Sequence, residues 1–122
     1  MDEKTFKQRT KQLGTAVIGL VNKLPRTMAA EVLAKQIVRS STSVGANYRA
    51  ACRAKSTPDM INKLKIVEEE ADESHFFFFF LLELYDLGDE NVKNEMIRLC
   101  KEANELVAII VASINTAKSK LK

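Results

Sequence analysis

Apolar residues recur at alternating steps of three and four along nearly the whole chain, and only a few short breaks interrupt that rhythm. This single regularity leaves little besides helices packed lengthwise. The rhythm is longest from Pro58 to about Leu87. There Met60, Leu64, Val67, Ala71, Phe78, Leu81 and Tyr85 form one stripe, with Ser74 filling the gap. Before it, Phe6, Leu13, Val17, Leu20 and Leu24 mark a first helix from about Asp2 to Leu24, whose early carboxylates Asp2 and Glu3 suit the positive end of its dipole. Pro25 stops that helix, and Thr27 offers an N-cap for a second one running to about Lys55 over Leu33, Ile37, Val44, Tyr48 and Ala51. Gly45 weakens the second helix locally, which calls for a packing reason.

Ser56, Thr57, Pro58 and Asp59 combine a cap, a first-turn proline and an early carboxylate, and so open the third helix. Gly88 then stops it. Asp89 caps a fourth helix, about 90 to 119, carrying Val92, Met96, Leu99, Ala103, Leu106, Ile110 and Ala117. No period-two run competes. With connections of a few residues, consecutive helices are antiparallel neighbours, so the expected fold is all-α: an up-down-up-down antiparallel four-helix bundle spanning residues 1–122 as a single domain. A length of 122 residues suits one core and not two.

Five consecutive phenylalanines, Phe76 to Phe80, cover every side of a helix, and one core cannot bury them all. With Leu81 and Leu82 the apolar run reaches seven residues, far short of the roughly 20 needed to cross a bilayer. Two readings fit: Phe76, Phe77, Phe79 and Phe80 form an interface between subunits, or the tract is not what selection left there. The first is favoured by Val107, Ile109, Val111 and Ile114, which add apolar positions off the main stripe of the fourth helix and point to a homo-oligomer.

The expected protein is not an enzyme and holds no metal or cofactor. A di-metal bundle site takes Glu-x-x-His from two helices, and this chain has one histidine, His75, preceded at three residues by Asp72. Glu68, Glu69, Glu70, Asp72 and Glu73 read as a solvated acidic surface pairing with Lys63, Lys65 or the basic second helix. Ser40, Ser41 and Ser43 lack a partner base and read as residues that let two helices approach closely. Cys52 and Cys100 are too few for a disulfide framework or a zinc knuckle and read as reduced, packed thiols. The first residues show no secretory pattern, so a cytoplasmic location without membrane attachment is expected.

A net charge of +3 hides an uneven distribution. Residues 1–65 carry thirteen Lys and Arg against four Asp and Glu, a balance of +9, whereas residues 66–122 carry six against twelve, a balance of −6. Antiparallel neighbours either pair this charge internally or leave a continuous basic stripe that attracts phosphate chains. Arg49 and Arg53 share a helix face, Arg39 lies about 80° from Arg49, and Lys35 stands one turn before Arg39. Lys23 and Arg26 precede this patch, and Lys55, Lys63 and Lys65 continue it. The candidate nucleic-acid contacts are therefore Lys35, Arg39, Arg49, Arg53, Lys55, Lys63 and Lys65. Stacking aromatics are scarce near them, which favours structured RNA or duplex DNA, held without sequence specificity, over a single strand.

Gln36, Arg39, Ser43, Gly45, Ala46, Asn47 and Tyr48, followed by Arg53 to Ser56, Lys63-Leu64, Glu70-Ala71, Glu73-Ser74, Leu84 to Gly88 and Glu105-Leu106, carry a resemblance. On these residues the chain resembles the four-helix-bundle proteins encoded in intervening sequences of 23S ribosomal RNA genes, a family also similar to the accessory protein of diversity-generating retroelements. The resemblance implies a closed ring of subunits, typically a pentamer, with a basic surface toward nucleic acid and a nucleic-acid-processing protein as a further partner. Ala50 stands where the family usually has Glu, which would free Arg39 or Arg53, and Phe77-Phe78-Phe79 replaces the usual Trp-Leu-Glu. A protein-interaction scaffold without direct nucleic-acid binding is the alternative.

Overall fold

The computed structural model describes residues 2–85 and 89–121. They form four helices, α1 (Glu3–Val21), α2 (Met28–Cys52), α3 (Thr57–Leu84) and α4 (Glu90–Ser119). Each start is fixed by a side chain that accepts from otherwise unpaired amides of the first turn. Asp2 accepts from the Thr5 N–H at 2.7 Å, Thr27 from Ala30 at 3.1 Å, Ser56 from Asp59 at 3.2 Å and Asp89 from Asn91 at 2.9 Å. Helix ends fall short of the expectation: α1 stops at Val21 and α2 at Cys52, where the last turns tighten before Pro25 and before the Ser56 cap. Tyr85 is extended and ends α3 at Leu84; the expected stop at Gly88 lies outside the described residues.

Helices α1 and α2, α2 and α3, and α3 and α4 pack as neighbours, and α4 closes the square against α1 along the thinnest of the four seams. The core follows the predicted stripes: Phe6, Leu13, Val17, Ile37, Val44, Leu64, Val67, Phe78, Leu81, Met96, Leu99, Leu106 and Ile110 are all buried. Ile61 rather than Met60 is the buried residue at the start of α3, while Met60, Leu33, Tyr48 and Tyr85 pack half-buried against the core.

Small residues set the spacing of α2. Ser40 and Ser74 are fully buried with their hydroxyl oxygens 2.9 Å apart, and each also reaches a carbonyl one turn back, Ile37 at 3.3 Å and Glu70 at 2.9 Å. On the other side, a Cβ at Gly45 would lie 3.4 Å from the α1 backbone at Thr10 and Lys11, and one at Gly14 would lie 3.2 Å from the Thr42 methyl. The glycines thus let α1 and α2 run backbone against backbone. Among the described residues, no buried side-chain nitrogen or oxygen lacks a hydrogen-bond partner.

Candidate nucleic-acid interface

The close α1–α2 approach leaves a shallow groove over the glycines, about 410 Å³, between Lys7, Thr10, Lys11, Thr15 and Ile18 of α1 and Thr42, Gly45, Ala46 and Arg49 of α2. Three cations, Lys7, Lys11 and Arg49, therefore line one groove. Lys11 and Arg49 form no ion pair among the described residues, and Lys7 has only a long one, 3.6 Å to Glu3 one turn earlier. A second, larger groove of about 830 Å³ follows the thin α1–α4 seam, lined by Lys4, Lys7 and Lys11 from α1 and by Arg98 from α4. Its one lining carboxylate, Glu102, is engaged from behind by Arg9, whose Nε donates to Glu102 Oε2 at 3.0 Å and whose Nη2 lies 3.1 Å from Glu105. Those bonds, with Glu102 the stronger, hold the Arg9 guanidinium still more firmly protonated than usual.

The predicted cations divide between faces. Arg49 enters the α1–α2 groove, and Arg53, exposed at the C-cap of α2, stands one turn beyond it. Lys35 is exposed two heptads before Arg49 and so lies on nearly the same side of α2. Lys55 and Lys65 are exposed at the α2–α3 turn and early in α3, away from the groove. Arg39 lies toward another face. It turns toward α3 and grips two carboxylates, Nη1 to Glu70 Oε2 at 3.0 Å and Nη2 to Glu73 Oε1 at 2.7 Å, so the absence of a Glu at position 50 does not free it. Lys63 is also engaged, at 2.7 Å from Asp59, and its ammonium together with the Lys55 amide holds the Asp59 carboxyl below the usual range.

Lys4, Lys7 and Lys11 are absent from the cations expected on sequence grounds. Their signal is nevertheless present: steps of three and four on one helix face, and no Asp or Glu anywhere between Glu3 and Glu31. The apolar stripe of α1 masks it, because that stripe alone accounts for the helix.

The phenylalanine run resolves by position. Phe78 is 0% exposed in the core and Phe77 packs half-buried against it, whereas Phe76 at 55%, Phe79 at 50% and Phe80 at 37% face outward. Phe77 thus presents less of its ring outward than Phe76 and Phe79 do. Phe76 and Phe80 meet edge to face at 4.9 Å, and His75 meets Phe79 in the same way at 4.6 Å. The surplus on α4 is mostly absorbed internally, since Ile114 is buried and Val107 and Ile109 pack against the core, leaving Val111 exposed. Cys52 and Cys100 are free thiols that burial shifts upward in pKa. Among the described residues no group of three His, Cys, Asp or Glu is placed to hold a metal ion, and no helix is long and apolar enough to cross a membrane.

Fold and surface together define the class: an antiparallel all-α four-helix bundle with a basic ridge on its first helix and exposed aromatics on its third. The chain belongs to the family described as 23S rRNA-intervening sequence protein, whose model matches residues 3–111. It is similar to a protein of unknown function from the S23 ribosomal protein family of Bacteroides thetaiotaomicron, solved as a crystal structure. The two are 28% identical, with 89% of this chain and 97% of that one covered at a TM-score of 0.76. No curated protein matches the chain.

Proposed function

We propose that the protein is a non-enzymatic, homo-oligomeric binder of structured RNA or duplex DNA. In this reading it grips phosphates through the α1–α2 face and assembles through the exposed aromatics of α3. The observation that carries this reading is the convergence of Lys7, Lys11 and Arg49 on one groove with no carboxylate in its lining. Phosphate oxygens would replace water around these cations and release condensed counterions, which gives affinity without sequence preference. Arg53 and Lys35 extend the track along α2, while Arg39 and Lys63 are already paired with carboxylates. A closed ring, the pentamer that the family resemblance implies, would present several such tracks at once to a nucleic acid handled by a processing partner.

Fluorescence anisotropy against a structured RNA and a duplex DNA, from low to physiological salt, tests the reading. Binding should weaken steeply with salt. Lys11→Ala and Arg49→Ala should each flatten the logarithmic salt slope on DNA by about 0.9 for every phosphate the variant no longer neutralises. A well-formed oligomer that binds neither probe would refute the nucleic-acid reading and leave a protein scaffold in its place.

A further inference from the structure

The outward face of α1 differs from a generic basic surface. Lys4, Lys7, Gln8, Lys11, Gln12 and Thr15 are all exposed and, at 100° per residue, fall within an arc of about 140°. The arc holds no carboxylate. It is bounded on both sides by the two grooves, one flanked by Arg49 of α2 and the other by Arg98 of α4. The result is a single helix standing as a ridge, with Arg49 beyond one edge, Arg98 paired to Glu95 at 2.6 Å beyond the other, and amide, hydroxyl and ammonium groups along its crest.

An α-helix with its side chains is about 10–12 Å across, and the major groove of B-form DNA, about 12 Å wide, admits one. The major groove of A-form RNA is deep and narrow and closed to side chains. Lys and Gln are also the side chains that meet guanine and adenine edges there. We infer, building on the binding function proposed above, that α1 is a groove-entering helix and that the cognate ligand is B-form duplex DNA rather than duplex RNA. Gln8 and Gln12 face the base edges, one phosphate strand passes along Lys7, Lys11 and Arg49, and the other passes Arg98, whose guanidinium is shared with Glu95. Glu102, the carboxylate lining the α4 side, shares Arg9 with Glu105, so the α4 edge is the less positive of the two and the Arg49 edge makes the stronger phosphate contact.

The test compares three probes of one sequence under one salt condition: duplex DNA, duplex RNA, and the same DNA with every cytosine carrying a glucosylated hydroxymethyl group. The sugar fills the major groove in any register and leaves the phosphates unchanged. The expected result is duplex DNA bound about tenfold or more tighter than duplex RNA, the size of one good base-edge contact, with glucosylation abolishing that advantage. Equal affinity for DNA and RNA, or indifference to the sugar, would overturn major-groove entry while leaving phosphate binding intact. Failure to bind any of the three would overturn both.

Discussion

Two arginines of the same bundle show how burial decides what an ion pair contributes. Arg9 is 20% exposed and joins α1 to Glu102 and Glu105 of α4 across the thinnest seam; Arg39 is 48% exposed and joins α2 to α3 across a broad one. Arg9→Met should lower unfolding free energy by about 1.5–3 kcal/mol, because it strands the mostly buried Glu102 carboxylate. Arg39→Met should cost less, because Arg39 itself and its second partner Glu73, at 36% exposure, are both open to water, although Glu70 is as enclosed as Glu102. Urea titration of both variants checks the order, and equal losses would contradict it. The same pair shows what is legible at this scale. Residue spacing supplies the azimuth of Arg39 relative to Arg49, about 80° apart. It does not supply which neighbour occupies that direction, and so the pairing of Arg39 with Glu70 and Glu73 is not read from spacing. Lys7 and Lys11 escape for the converse reason: nothing local marks which side of α1 stays open once α2 and α4 have packed.

At the scale of elements the apolar rhythm carries nearly all the information. Thr27, Ser56 and Asp89 cap as their side-chain chemistry requires, and Ser74 occupies the gap in the α3 stripe as a buried partner for Ser40. Helix ends are less legible, because a frayed last turn depends on the following chain more than on its own residues. The glycines separate by surroundings. A Cβ at Gly19 meets nothing within 4 Å, while one at Gly14 presses on Thr42. Gly19→Ala should therefore raise stability by about 0.5–1 kcal/mol through helix propensity alone. Gly14→Ala should gain less, because the new Cβ would press on both the Thr42 methyl at 3.2 Å and the Thr42 Cα at 3.3 Å, and the latter yields only if α1 and α2 shift apart. Thermal melts followed by circular dichroism would reveal the difference, and an equal gain at both positions would show that the α1–α2 approach is not tight at Gly14.

For the whole molecule, the opposed charges of the two halves are partly cancelled where the helices meet, through Arg39 with Glu70 and Glu73 and through Arg9 with Glu102 and Glu105. What survives on the basic side is the α1 ridge with Arg49 and Arg53, and on α3 the outward Phe76, Phe79 and Phe80. These two features lie on different helices, so assembly and binding are separable by mutation. In Phe76→Glu/Phe80→Glu both substitutions fall on exposed positions, so helix content by circular dichroism should be unchanged while the mass by light scattering falls to that of one chain. If the proposed ring exists, that monomer keeps its ridge but loses the gain from several ridges engaging one duplex, which reaches about a hundredfold or more when geometry permits. Affinity for a long duplex should then drop far more than affinity for a duplex only long enough to meet one subunit. An unchanged mass would place the subunit contact elsewhere on the bundle, and equal losses on both duplexes would mean that the aromatics and the basic ridge serve one surface.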